Sequence, residues 1–255
     1  MAALGGVLPA FAARLPHGEF AVFCTLSHRS MDDPIVFPGR PGASHRHDFF
    51  GNPTTDAAST AASLAAAGGT TCTNAHDHCA YWTPTVSVHG RAVTPGTLQA
   101  YYVQNGRPAG TIRAFPAGFR MIAGNPMTRK AQSTRVVSWG CAGTAIRDRR
   151  TPPVCAGADL ELHVRFPDCW DGVHLDIADH RSHMAYSRRG RCPSSRPVAV
   201  PSLQLRFDYA VHAAGVRLSS GAATTAHADF FNAWEPAALG DLVRRCVAAG
   251  VACGG

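Results

Sequence analysis

Much that usually announces a function is missing from this chain. The net charge is +7, yet Lys130 is the only lysine and the rest of the fixed positive charge is arginine. Arginine in place of lysine, with abundant alanine and glycine, is what a GC-rich coding sequence produces, so composition accounts for much of the charge, although a basic face suits an anionic cell wall. There is no basic helix, no ribonucleoprotein-type aromatic motif and no zinc finger, which argues against a nucleic-acid partner. Phosphate-binding loops and dinucleotide fingerprints are absent, so no nucleotide cofactor is expected. The nucleophile elbow GxSxG is absent too, leaving Ser44, Ser182 and Ser219 as weak candidates for a Ser/His/Asp nucleophile. No stretch approaches the roughly 20 apolar residues of a membrane span. Glutamate is confined to Glu19, Glu161 and Glu235, so any two-carboxyl chemistry falls to aspartates.

Cysteine, by contrast, is plentiful. Cys24, Cys72, Cys79, Cys141, Cys155, Cys169, Cys192, Cys246 and Cys253 stand without the tight CxxC doublets of a zinc site. That scatter reads as disulfides and an oxidising compartment. Neighbouring pairs give a framework of Cys141 with Cys155, Cys169 with Cys192, and Cys246 with Cys253. Cys24, Cys72 and Cys79 then share one further bond and, the count being odd, one thiol stays free or bonds elsewhere. With most thiols committed, cysteine catalysis is not expected. Met1 to Pro9 is apolar, and Ala10-Phe11-Ala12 has the small-x-small pattern of a signal-peptidase site, although a basic n-region is missing. Residues 1–15 are therefore expected to be the tail of a signal peptide. Residues 16–255 are expected to form one secreted, soluble, monomeric β-rich domain, long enough to bury its own core.

Short extended segments dominate. Glu19 to Ser27, Tyr81 to Val88, Thr97 to Val103, Phe119 to Ala123, Thr134 to Trp139, Asp159 to Phe166 and Ser202 to Tyr209 read as strands between Pro/Gly turns. In Leu160 to Phe166 and Leu203 to Phe207 the alternation is clean, with one face apolar and the other wet. Two segments read as helices, Thr55 to Ala67 and Pro236 to Ala249, each ending at glycine. In the second, Leu239, Leu242, Val243 and Cys246 form the apolar stripe, while Glu235 and Asp241 near its start and Arg244 and Arg245 near its end suit the helix dipole. The expected class is mainly β, an antiparallel β-sandwich of jelly-roll type with a few peripheral helices, bonded by disulfides.

The most informative phrases are Ser44-His45-Arg46-His47-Asp48-Phe49-Phe50-Gly51-Asn52 and Ala226-His227-Ala228-Asp229-Phe230-Phe231-Asn232-Ala233-Trp234. On an extended strand residues i and i+2 share a face, so His45 with His47, and His227 with Asp229, form two polar pairs aimed into one space. Burying them is costly unless they act or are hydrogen-bonded. Other phrases follow in order: Asp32-Asp33-Pro34-Ile35-Val36-Phe37-Pro38-Gly39, Phe115-Pro116-Ala117-Gly118-Phe119-Arg120, Phe166-Pro167-Asp168-Cys169-Trp170-Asp171-Gly172, and Asp179-His180-Arg181-Ser182-His183-Met184-Ala185-Tyr186. Through these long ordered motifs, from residue 18 to residue 253, the chain resembles the secreted fungal and actinobacterial family catalogued as the domain of unknown function numbered nineteen ninety-six. The resemblance implies a wall-facing extracellular protein, and the WSC and cellulose-binding modules beside fungal relatives imply polysaccharide as a partner by association. It brings no assigned catalytic residues. His174 stands where the family pattern more often has an amide, and the Cys72 to Cys79 loop with His76-Asp77-His78 is peculiar to this sequence.

Two chemistries suit these residues. A glycosidase needs one carboxyl held protonated and another ionised on either side of a scissile bond. The available carboxyls are Asp48, Asp171, Asp176 and Asp229, with Asp48 and Asp229 the expected acid/base pair. His45, His47, His180, His183 and His227 would position them or contact sugar hydroxyls in a shared cleft. Trp170 and Trp234 suit stacking on a sugar face, with Phe49 and Asn52 beside them as further substrate contacts. The plain alternative is that Asp171-Gly172 is a turn and Trp170 core. The second chemistry is a transition-metal centre, in which His45, His47 and His227 hold zinc, copper or iron, HxH on a strand presenting two imidazoles to one ion. His180 and His183, three apart, are placed to share a ligand in the same way. The protein then binds metal or wall glycan without catalysis, or is a metal-dependent enzyme. His76-Asp77-His78 and the cluster Arg147-Asp148-Arg149-Arg150 read as solvated loops, and His17, His89 and His212 as surface residues.

Overall fold

Aromatic and β-branched residues favour a pleated, half-buried surface, and they concentrate in nine segments that pair edge to edge. These are β1 (Glu19–Ser30), β2 (His47–Gly51), β3 (Ala80–Pro84), β4 (Pro95–Val103), β5 (Arg120–Gly124), β6 (Val137–Cys141), β7 (Leu160–Arg165), β8 (Ser202–Tyr209) and β9 (His227–Phe231). A computed structural model describes residues 18–108 and 110–254. The signal-peptide tail expected over residues 1–15, and His17, lie outside them. The strands form one antiparallel sheet in the order β5-β9-β3-β2-β1-β4-β8-β7-β6.

β1 belongs to both halves of that sheet. Glu19 to Thr25 pair with β4, and after a bulge between Leu26 and His28 the rest of the strand pairs with β2. The extra residue bends the strand, so the two halves face each other as a sandwich. Their inner faces meet through Phe50 against Phe207, ring centroids 5.4 Å apart, and Phe166 against Phe230 at 6.5 Å. The mainly β, antiparallel, disulfide-bonded class expected from the sequence is the class observed.

The two halves differ in what covers their outer faces. β4 and β8 alternate between buried and half-exposed residues, whereas every residue of β2, β3 and β9 is buried. A second apolar cluster explains this: Ile35, Phe49, Leu64, Trp82, Ile122 and Phe231 pack together on the outside of β2, β3, β9 and β5. The cover comes from the segment after β1, which brings Ile35, and from helix α1 (Ala61–Ala66), which brings Leu64.

α1 is shorter than the Thr55 to Ala67 helix expected. Asp56 Oδ1 accepts from the Ala58 N–H at 2.9 Å and from Ser59 Oγ at 3.1 Å, holding that stretch as turns, and the helix begins only at the Thr60 capping box. The second helix, α2 (Pro236–Leu242), starts with Pro236 at its first turn and runs into a π-helical turn, Val243–Val247. Leu239, Leu242, Val243 and Cys246 are its buried stripe, as expected. Asp241 lies past the first turn and pairs with Arg245 at 2.8 Å, so it does not serve the helix dipole from the start.

Four disulfides join Cys24–Cys72, Cys141–Cys155, Cys169–Cys192 and Cys246–Cys253, and Cys79 keeps a buried thiol. The loop between Cys72 and Cys79 is not simply solvated. Asp77 is fully buried, accepting from the Cys79 N–H at 3.1 Å and the Tyr81 hydroxyl at 2.8 Å. Burial pushes its pKa up to about 6. No helix among the described residues is long and apolar enough to cross a membrane.

Candidate metal centre

The two histidine phrases meet on the covered face. β2 pairs with β3 and β3 with β9, so residues 47, 82 and 229 lie on one side of the sheet while 48 and 50 lie on the other. Backbone carbonyls fix two of the rings. His47 Nδ1–H donates to the Asp32 carbonyl at 3.0 Å, and His227 Nδ1–H donates to the Thr225 carbonyl at 2.8 Å. A carbonyl can only accept, so both rings carry their proton on Nδ1 and leave Nε2 as a lone pair. His45 completes the group from the loop before β2, its ring centroid 4.3 Å from that of His47 and 5.1 Å from that of His227.

One nitrogen from each of His45, His47 and His227 lies within 4.8 Å of the other two. The Nε2 atoms of His45 and His47 are buried without a hydrogen-bond partner. Burial holds all three imidazoles neutral: the pKa of His45 falls to about 4, that of His227 to about 3, and that of His47 well below the usual range, where the neighbouring His45 and His227 would further oppose its protonation. Neutral imidazole is the form that binds a metal. Asp229 Oδ2 stands 3.9 Å from His227 Nε2, buried and unpartnered. Burial raises its carboxyl well above the usual carboxylate range, the charge of Asp33 adding to this and that of Arg181 opposing it.

Gly124 makes the approach of β5 to this site feasible. It pairs with His227, has φ +84°, and a Cβ there would stand 2.5 Å from the Ala226 carbonyl oxygen and 2.8 Å from His227 Cα.

The other expected site residues go elsewhere. Asp48, adjacent to His47 on β2, points to the opposite face, where it accepts from Arg29 Nε at 2.6 Å and Thr85 Oγ1 at 2.8 Å. Asp48 and Asp229 therefore do not flank a common bond. Asp171 accepts from the Val173 and His174 N–H groups and meets the exposed His174 ring at 2.8 Å, so Asp171-Gly172 is the turn of the plain alternative. Asp176 holds His180 Nδ1 at 2.8 Å and Arg120 at 3.4 Å, while His183 Nε2–H donates to the Arg120 carbonyl at 2.9 Å. His180 and His183 thus serve different partners. They gather at the Arg120 end of β5, and Gly124 lies four residues on, roughly 13 Å along the strand.

The aromatic platform is also redistributed. Trp234 is 2% exposed and donates from Nε1 to the Tyr102 hydroxyl at 2.9 Å, which makes it core. Phe49 is buried between His28 and Trp82. Asn52 is buried too, its Nδ2 donating to the Leu64 carbonyl at 2.9 Å and so tying α1 to β2. Trp170 is half-buried, edge-on to Phe119, with Nε1 bonded to the His174 carbonyl. Two charged residues beside the histidine cluster escaped sequence reasoning: Asp33, buried and capping the Ile35 and Val36 N–H groups, and Arg181, whose Nη1 donates to the Gly124 carbonyl.

A disulfide-bonded antiparallel sandwich with a largely buried three-imidazole cluster on its covered face is the class of protein so defined. The chain belongs to the family described as domain of unknown function (DUF1996), whose model matches residues 33–234 and so spans all three histidines, Asp229 and Arg181. No curated protein and no solved structure matches the chain.

Proposed function

We propose that the protein is a secreted metalloenzyme of extracellular polysaccharide, its ion held by His45, His47 and His227. The observation that carries this reading is the cluster of three neutral imidazoles, with the His45 and His47 Nε2 atoms buried and unpartnered, an arrangement costly to keep without a ligand. Rings fixed through Nδ1–H to a carbonyl, with Nε2 free, are the usual outer support of a metal site. Three imidazoles suit zinc or copper and leave a coordination position open, as catalytic rather than structural sites do. A bound ion supplies Lewis acidity and a water of lowered pKa. Asp229 then holds or releases the proton beside it. The four disulfides support an oxidising, extracellular setting. Hydrolysis by a bare Asp48/Asp229 pair is disfavoured by their opposite faces.

Metal analysis of the purified protein tests the reading. A stoichiometric transition metal is expected, lost in His45→Ala with His227→Ala, together with any release of reducing ends from wall glycan. A metal-free protein that cleaves glycan with those histidines replaced would contradict it.

A further inference from the structure

We infer that the substrate is an anionic saccharide whose acid group sits on Arg181 in the cleft beside the three histidines. This deepens the metalloenzyme reading and rests on it for the identity of the reacting centre. The cleft has a volume of about 360 Å³ and is lined by Ile122, Gly124, Ser133, Arg181, Ser182 and Tyr186 among others. It adjoins the proposed centre through β5, since Gly124 pairs with His227 and Ile122 with Asp229.

Arg181 is set apart from the other arginines anchored inside the fold. Arg29 has Asp48 at 2.6 Å, Arg107 has Asp168 at 2.8 Å and Arg120 has Asp176 at 3.4 Å. Arg181 has no carboxylate partner within ion-pair distance among the described residues. It is half-buried, and its one side-chain hydrogen bond, from Nη1 to the Gly124 carbonyl, holds the guanidinium at the wall of the cleft. A held guanidinium with unused N–H groups matches the paired oxygens of a carboxylate or phosphate. Arg196 reinforces the positive lip of the cleft by donating to the Ser182 carbonyl. Tyr186 supplies a surface for the sugar ring: it is 40% exposed, and its hydroxyl is tied to the Arg165 carbonyl at 2.9 Å. The net charge of +7 favours encounter with a polyanion.

Calorimetric titration with three probes tests this: a galacturonate oligosaccharide, a phosphate-bearing mannose oligosaccharide and a neutral cello-oligosaccharide, each against metal-free and zinc-loaded protein. At least one anionic probe is expected to bind, and the neutral one about tenfold or more weaker. Preference for galacturonate assigns a carboxylate, and preference for the mannose derivative a phosphate. Arg181→Gln is expected to weaken the anionic probe by about ten- to a hundredfold, with the neutral probe and the zinc stoichiometry unchanged. Ser133→Trp, at the exposed rim, obstructs the cleft while leaving Arg181 itself unchanged, and is expected to abolish saccharide binding while zinc binding persists. Equal binding of neutral and anionic probes, no binding of either anionic probe, or full binding by both variants would overturn the inference. Arg181-dependent binding by a protein that takes up no metal would overturn the metalloenzyme reading instead and leave the saccharide subsite standing.

Discussion

The two halves of the sandwich treat polar residues differently. On the half built from β4, β8 and β7 the outer face is wet, and its polar groups meet one another: Glu161 with His163 at 2.9 Å, Gln99 with Asp208 at 2.9 Å, and Arg206 above the ring of Tyr101. On the half built from β2, β3, β9 and β5 the outer face is roofed, yet His45, His47 and Asp229 keep buried polar atoms with no partner. The first set meets opposite charges even where a hydrogen bond is missing, as between the buried Arg206 Nε and Asp208 Oδ1 at 3.8 Å. The second set has lost its water and keeps unpartnered atoms among the described residues, which is the ground for proposing a ligand site there.

The sharpest way to break that comparison is to remove one ring. His47→Ala is expected to lower zinc or copper affinity by more than about a hundredfold, since supporting residues alone cost ten- to a hundredfold, as read by competition with a chromogenic chelator. His163→Ala, on the wet half, is expected to leave it unchanged. Next come the two covers. Trp82→Ala, fully buried on the roofed half, is expected to cost about 3–5 kcal/mol in denaturant unfolding, and Gln204→Ala on the wet face within about 0.5 kcal/mol.

Titration behaviour separates two sites within the roofed half. His45, His47 and His227 are held neutral in the folded chain, so the unfolded chain binds more protons below the ordinary histidine pKa. Stability of the metal-free protein is then present above about pH 6.5 and lost as pH falls toward 3–4. Each tenfold difference in proton affinity between the folded and unfolded chain is worth about 1.4 kcal/mol at the buried His227, and less at the half-buried His45, where solvent screens the charge. Asp77 runs the opposite way. Its raised pKa means the folded chain keeps the proton longer, so its contribution is full below about pH 4 and lost as pH rises through about 6. Unfolding of wild type and Asp77→Asn across that range separates the two slopes: the variant is expected to lose only the decline between pH 4 and 6.

The smallest effect distinguishes the two aspartates. Asp48→Asn weakens the bond to Arg29 and is expected to cost about 1–3 kcal/mol of stability with metal binding intact. Asp229→Asn removes a buried, unpartnered carboxyl and is expected to leave stability unchanged or higher while lowering catalysis. The reverse pattern would restore the Asp48-centred reading.

The alternation in β7 and β8 made the wet half legible, because one face of each strand touches water and the other does not. β2 and β9 are buried on both faces, so neither has an alternating pattern. Their strand character was legible only through the histidine phrases themselves. Those phrases did place His45, His47, His227 and Asp229 together. They also carried an overlooked constraint: Asp48 follows His47 directly, so on a strand it must face away from any site His47 joins. Trp234, Phe49 and Asn52 looked like a platform because they flank polar residues in sequence, but strand parity and the roof over β2 and β9 send them into packing. Nothing local marks Asp77 as buried. Its burial comes from a loop folding against Trp234, which only the tertiary structure brings near, with Tyr81 four residues on as its hydrogen-bond partner. Arg181 was legible as a residue and not as a role, since its lack of a carboxylate partner is a property of the folded chain.

X-ray absorption at the zinc and copper edges, on protein purified without chelator, tests the three-histidine centre most directly. The expected result is one of these ions with imidazole nitrogens in its coordination sphere, and a signal that disappears in His47→Ala. An ion-free protein after titration with both metals, or a spectrum that His47→Ala leaves unchanged, would contradict it.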